Sequence, residues 1–438
     1  MSPISVGRTA LQCHAVSAQH PTDSFSRIPF AAPLLRGFAI PNFRRLWAGS
    51  VFWYTTRWMD MFVLQWLVLQ MTGSALQVSL VAFYRLFPVF LFGLPAGILA
   101  DRVNRRSVLL AAQLWNALAS VTLAVLVVTE SLALWHLPIL VGMLGVTWAL
   151  DLPSRHSAIH DMAGEDGVVN AIALDLFGMN TAKLLGPILG GLLWPVLGTA
   201  GCMFLLTAGY LINFLNYLRL PSFPPPAHPH RAILRHVGEG ISYALRHPVI
   251  LGVLAITVVL NSLAFPYQSI GPVVARDTLG FGPRLTGLLL SADGLGAMLV
   301  GLMIASRRDL VRPGRVFTLG SLAVLVGLLA FSVSRTFAFS WCALFLAGCG
   351  LGCFGTLQSP LILLSAPARI RGNIMGALMV AIGFGPLGVL QIGVLAILVG
   401  PAKAITITAG LGLLVAATVA WKARGLWNFR GADGQPGR

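Results

Sequence analysis

Charge is what this chain has least of. Only 10% of its 438 residues are Asp, Glu, Lys or Arg, where soluble domains carry about a quarter. Lysine is scarce: Lys183, Lys403 and Lys422 are the whole supply. No Gly-x-x-x-x-Gly-Lys-Ser/Thr phosphate loop occurs, so ATP-driven work by this chain alone is not expected. Cysteine is sparse and odd in number: Cys13, Cys202, Cys342, Cys349 and Cys353. Four of these lie in or beside apolar runs, which fits reduced packing residues rather than a disulfide framework. Cys349 and Cys353 share a helix face, but two thiols alone make a poor metal site. His156 and His160 lack the intervening Glu of a metalloprotease helix and are expected in an exposed loop. No metal, cofactor or enzyme activity is expected.

What the chain has instead is apolar length. Hydrophobic residues make up 56% of it, and the mean hydropathy is +0.81. Runs of ~20 apolar residues are long enough to cross a bilayer as helices. In lipid only helices or closed barrels satisfy their own backbone, and continuous rather than alternating runs favour helices. Twelve spans are expected: 46–71, 76–100, 107–128, 133–152, 168–197 and 200–220, then 249–276, 285–306, 314–333, 337–364, 372–399 and 401–421.

The basic excess of +16 follows this pattern. With the N-terminus inside, 23 of the 30 Lys and Arg fall on the inner side and 4 on the outer; Arg57, Arg85 and Lys183 lie within spans. That asymmetry is the positive-inside signature and predicts both termini in the cytoplasm. It also predicts attraction to anionic lipid rather than to nucleic acid. Residues 1–43 have no apolar core of a signal peptide and are expected to be a disordered cytoplasmic tail. Residues 44–220 form a first six-helix half and 249–423 a second, with a short tail at 424–438. The Pro-rich linker 221–248 contains a candidate amphipathic surface helix, with Ile233, Val237, Ile241 and Ala244/Leu245 at helical spacing. A monomer is expected. The joints "DRVNRRS" and "SRRDLVRPGR" occupy equivalent places in the two halves, although any short inner loop attracts Arg.

The stretch "GILADRVNRR" resembles the inner-loop signature of the major facilitator superfamily. Gly97, Leu99, Ala100, Asp101, Arg102, Arg105 and Arg106 match, and Asn104 stands where Gly is usual. Asn tolerates left-handed backbone better than most residues, so the turn is expected to survive. "AKLLGPILGG" resembles the fifth-helix motif of facilitator antiporters, with Gly186, Pro187, Gly190 and Gly191 in place. Such small residues let helices touch, and plain packing is the other reading of each one. The segment from Asp151-x-Pro153-x-Arg155 through Asn180-x-Ala182-Lys183 is similar to the bacterial branch containing enterobactin exporters and macrolide-efflux proteins. These resemblances imply the major facilitator fold in a bacterial inner membrane, with a small organic molecule and protons as the partners. They also imply a gate built from the loop signature together with Asp151 and Arg155.

Charges inside hydrocarbon cost about 2.5–3.5 kcal/mol each on insertion scales, so each needs a reason. Arg57 and Asp60 are three apart on the first span and can pair, with Arg85 on the second. Asp60 lies ~20 Å deep by helix rise, which makes it the leading proton carrier, with Asp175 and Asp293 next. Lys183 either attracts an anionic substrate or fills a basic slot of the family. Gln65, Asn261, Gln268 and Gln358 lie on spans that line the cavity of facilitators, which makes them candidate substrate contacts; each is equally able to bond a neighbouring helix. The aromatics of the first span are expected mostly to face lipid. The leading expectation is proton-coupled export of a siderophore-like or drug-like molecule. An uptake symporter on the same fold and a non-transporting receptor are the alternatives.

Overall fold

The computed structural model describes residues 38, 40–100, 102–223, 233–306 and 311–429. Most of the expected N-terminal tail and much of the expected linker, Asp101, and the Arg-rich part of the second joint lie outside these residues, while 41–43, expected in the tail, are already helical. All the described secondary structure is helical. Helices α1 (Pro41–Thr72), α2 (Ala75–Ala100) and α3 (Arg105–Val128) open the first half. One uninterrupted trace, His136–Tyr217, follows, but its backbone leaves helical geometry at Gly164 (φ 67, ψ 178) and Gly198 (φ 65, ψ −176). Only glycine adopts that positive-φ, extended geometry at little cost, so the two glycines cut the trace into α4 (136–163), α5 (165–197) and α6 (199–217).

Helix α7 (Ile233–Arg246) lies between the halves. The second half comprises α8 (Pro248–Thr278), α9 (Pro283–Ser306), α10 (Pro313–Val333), α11 (Phe337–Ser365), α12 (Arg371–Val399) and α13 (Pro401–Lys422). Proline stands at the start of α1, α8, α9, α10 and α13, where its missing N–H has no partner to lose. Among the described residues, twelve long helices therefore arise in two sets of six, as the hydropathy pattern predicts. Within α8, Pro266 and Pro272 lack the donors a regular ladder needs, and π-helical turns occur at Leu260–Ala264 and Val274–Thr278.

Several expectations change. The fourth span does not end at 152: α4 runs on, so Asp151, Arg155, His156 and His160 all lie on helix, not in a turn or loop. Arg155 is fully buried, so its charge belongs to the interior rather than to an inner loop. Asn104 is not left-handed (φ −58). Its side chain caps α3 by accepting from the Arg106 N–H at 3.0 Å, and it binds Ser222 at 2.6 Å. The joint thus works through a helix cap, not an unusual backbone. The first-span aromatics Trp53, Tyr54, Phe62 and Trp66 are buried in the bundle; Phe52 is exposed.

The halves meet at one end. There the Arg276 guanidinium of α8 donates to the Leu69 carbonyl of α1 at 2.8 Å. A Cβ on Gly191 of α5 would lie 3.0 Å from the Gly287 Cα of α9, and Gly393 of α12 packs on Ser79 of α2. At the arginine-rich end the described side-chain bonds stay within their own half. Arg105 pairs with Asp161, Arg106 donates to the Leu218 carbonyl at 2.5 Å, and Asn373 donates to Glu239 of α7 at 3.1 Å.

Candidate functional site

Among the described residues, three clusters have their charges buried deep within the membrane-spanning helices, and one of them joins the halves. Lys183 of α5 donates to Asp293 of α9 at 2.8 Å. The Tyr267 hydroxyl of α8 donates to the same carboxylate oxygen, and the Gln268 amide approaches it at 3.3 Å. Gln65 of α1 completes the seam by donating to the Gln268 carbonyl at 3.3 Å. Asp293 is 2% exposed, so this carboxylate gives up water for one ammonium, one phenol and one amide. A small central cavity opens on the cluster, walled by Trp58, Phe62, Pro187 and Leu290 as well as by the polar groups. Its lining mixes aromatic and aliphatic surface with a few convergent polar atoms, but at about 30 Å³ it holds little more than water in this conformation.

The second cluster lies wholly in the first half. Asp60 pairs with Arg85 across α1 and α2, and both are buried. The expected Arg57–Asp60 pair does not form. The Arg57 guanidinium instead lies 3.3 Å from the centre of the Trp148 ring, while Arg85 donates to the Arg57 carbonyl at 3.4 Å.

The third cluster also stays in the first half. Arg155 grips Asp151 with two bonds of 2.8 Å and reaches Ser50 and the Tyr217 hydroxyl, the latter at 2.8 Å. These bonds tie α4 to α1 and α6. Tyr54 donates to Asp175 at 3.0 Å, and the His156 ring nitrogen lies 3.7 Å from that carboxylate.

The sequence-predicted residues thus divide. Gln65, Lys183, Gln268 and Asp293 converge on the seam, and Asp293 is not the isolated charge it looks in the sequence. Asn261 and Gln358 do not reach this cavity. Asn261 donates to the Thr257 carbonyl at 2.9 Å and Gln358 to the Thr257 hydroxyl at 2.8 Å, both on α8. Of the loop signature, Arg102 is exposed, Arg105 and Arg106 tie down α4 and α6, and Asp101 lies outside the described residues. Gly97 is placed on α2. In the fifth-helix motif Gly186 and Gly190 press on Trp58 and Phe62 of α1, whereas Gly191 faces α9 across the seam. Sequence reading missed Tyr267, Tyr54, Tyr217, Trp148 and Asp161. Nothing in their local pattern sets them apart, because each acquires its role from a helix distant in sequence. Among the described residues no group of His, Cys, Asp and Glu is placed to hold a metal ion.

The comparisons with known proteins bear on the family and the fold. Residues 32–433 match the family described as transmembrane secretion effectors. The chain belongs to that family, within the major facilitator superfamily. The chain is 26% identical to the multidrug efflux pump Tap of Mycolicibacterium fortuitum, over 76% of the chain and 83% of the relative. It is 27% identical to the enterobactin exporter EntS of Escherichia coli O1:K1, over 70% and 73%. An uncharacterized transporter of Bacillus subtilis, YfiS, is 26% identical over 79% and 84%. Among solved structures, the D323A mutant of the nucleoside transporter NupG superposes with a TM-score of 0.73 at 13% identity, covering 87% of this chain and 99% of that one. A bacterial homologue of the lysosomal transporter Spinster, in an inward-facing and unoccupied conformation, gives 0.69 at 14% identity, covering 88% and 98%. At those identities the structures speak for the fold alone. The chain is therefore a multi-pass membrane transporter of the major facilitator type.

Proposed function

We propose that the protein exports a small organic molecule across the bacterial inner membrane in exchange for protons, with both termini in the cytoplasm. The arginine-rich end then faces the cytoplasm, and the described side-chain bonds between the halves lie away from that end. The observation that carries the reading is the Lys183–Asp293 pair bridging the halves beside the central cavity. Opening the other face means parting the surfaces of α5 and α9. Tearing a buried ion pair to bare charges costs about 3–5 kcal/mol. A proton on Asp293 removes one of those charges and lets the seam open; a substrate group that takes over the hydrogen bonds of Asp293 does the same. Proton and substrate compete for one carboxylate, which is the condition for exchange rather than co-transport. The efflux relatives Tap and EntS favour the outward direction. The coupling role moves accordingly from Asp60 to Asp293, since the Asp60–Arg85 pair lies inside one half and need not break. The gate assignment of Asp101, Arg102, Arg105 and Arg106, with Asp151 and Arg155 bracing the helices behind them, is kept for the opposite conformation.

The test is transport by the purified protein in liposomes, with a panel of siderophores and hydrophobic antibiotics as substrates. An imposed proton gradient should drive at least one of them uphill and out of the compartment that the arginine-rich end faces. Proton movement in the same direction as substrate would replace export by uptake symport, and no substrate-dependent proton flux would leave a receptor.

A further inference from the structure

The first-half cluster holds two guanidinium groups and one carboxylate, and the carboxylate is taken. Asp60 is bound to Arg85. Arg57 is 8% exposed, and among the described residues it forms no ion pair and its Nε has no hydrogen-bond partner. Its surroundings are aromatic: Trp148 lies against the guanidinium, with the Trp53 and Trp58 rings 5.9 and 5.6 Å away. The indole N–H groups of Trp53 and Trp58 are also buried without acceptors. Three unused donor groups therefore belong to Arg57 and two of the rings around it. Arginine does not escape such a position by losing its proton. Ring faces offset part of the cost of burying a cation, but a few kcal/mol from cation–π contact does not replace a counter-ion.

We infer that Arg57 and its tryptophan cage form an anion subsite for the transported molecule, and that the molecule is an aromatic organic acid carrying a carboxylate or an ionised phenol. Planar guanidinium groups bind carboxylates through two parallel N–H bonds, and the indole faces suit a flat ring attached to that acid. Position ties the cage to the transport route. The Trp58 ring lies within 5.7 Å of the Lys183 ammonium as well as 5.6 Å of the Arg57 guanidinium, and it walls the central cavity. Trp58 and Trp148 are both partly exposed, so the cage has faces that a ligand can meet without unfolding the bundle. A molecule lying along Trp58 would place its acid at Arg57 and its remainder in the cavity beside Asp293. The proposal rests on the transporter reading for its substrate but not for its measurement.

The test uses the full-length protein in detergent, with sodium benzoate as the probe and benzamide and sodium chloride as controls. Benzoate should raise the melting temperature saturably, while benzamide, the same ring without the charge, should not. Arg57→Gln should abolish the response. Arg57→Lys, which keeps the charge but loses the planar fork, should weaken benzoate binding by about tenfold or more. Trp148→Phe should weaken it less. An equal effect of benzamide, or an unchanged benzoate affinity in Arg57→Gln, overturns the inference. Equal protection by chloride also overturns it, by reducing the cage to a small-ion site. If Arg57→Gln does not fold, unchanged affinity in Arg57→Lys serves as the overturning result. Binding in detergent needs no gradient, so a negative result here leaves the export reading standing, and failure of transport leaves this one standing.

Discussion

Lys183 and Asp293 meet at 2.8 Å although 110 residues and the boundary between two six-helix halves separate them. Asp293 is buried and the Lys183 side chain is only 13% exposed, so neither leaves the other without finding a replacement partner or changing its charge. Removing one partner should therefore be worse than removing both. Asp293→Asn and Lys183→Met singly are expected to lose about 3–5 kcal/mol, and the double variant to regain part of that loss. Thermal unfolding of the purified variants measures the coupling. Additive losses would mean that the pair contributes nothing as a pair.

Arg155 is expected to be intolerant of even conservative change. Its guanidinium makes two bonds to Asp151 and further bonds to Ser50 and Tyr217, a pattern that one ammonium cannot reproduce. Arg155→Lys should therefore unfold several degrees lower than the native chain, and Arg155→Ala should barely accumulate in membranes. Immunoblotting of membrane fractions and melting curves decide this. Normal abundance of Arg155→Ala would show that α4 does not depend on this network.

The glycine seam predicts a shift in conformation rather than a loss of fold. A Cβ on Gly191 would stand 2.5 Å from the Pro283 carbonyl and 3.0 Å from Gly287, both backbone contacts that cannot swing aside. Gly191→Ala should wedge α5 from α9 and favour the conformation open at the arginine-poor end. An impermeant maleimide should then label a cysteine placed at Gln65 from that side faster than in the native background. Equal labelling rates would mean that the seam absorbs a methyl group without parting.

Much of this architecture is legible in the sequence because lipid imposes it. Twelve apolar runs with Arg at alternate joints leave few alternatives, and the breaks at Gly164 and Gly198 occur between expected spans. Partners were less legible. Arg57 and Asp60 look paired at three-residue spacing, yet Asp60 takes Arg85 because that guanidinium reaches it from the neighbouring helix. Asp293 looks alone because its three partners come from α5 and α8, and helix spacing carries no information across such distances. The end of α4 was misplaced for a related reason: Asp151 and Arg155 read as water-facing by residue type, but they neutralise each other inside the bundle.

Topology has a direct check. Ser131, between α3 and α4, and Ser222, after α6, are both exposed and lie at opposite ends of the first half. With the arginine-rich end in the cytoplasm, Ser131→Cys should react with an impermeant maleimide in intact cells, while Ser222→Cys should react only after the membrane is opened. The reverse pattern would invert the protein, and with it the direction assigned to transport.

Asp60 and Asp293 make opposite predictions, and together they locate the proton. Asp60→Asn leaves Arg85 beside Arg57, two buried guanidinium groups with no carboxylate to share, so the variant should be poorly folded. Neutralising Arg85 as well should relieve that strain: Asp60→Asn/Arg85→Gln is expected to recover abundance and to keep pH-driven uphill transport. For Asp293→Asn no second substitution at Lys183 should bring uphill transport back, because the group that exchanges its proton is gone even when the fold is restored. Counterflow, which exchanges substrate for substrate without net proton movement, should survive in Asp293→Asn/Lys183→Met. Measuring uphill transport and counterflow for both double variants separates structure from coupling. If Asp60→Asn/Arg85→Gln folds but transports only downhill, with its pH dependence lost, the proton travels on Asp60 and the seam pair is a latch alone.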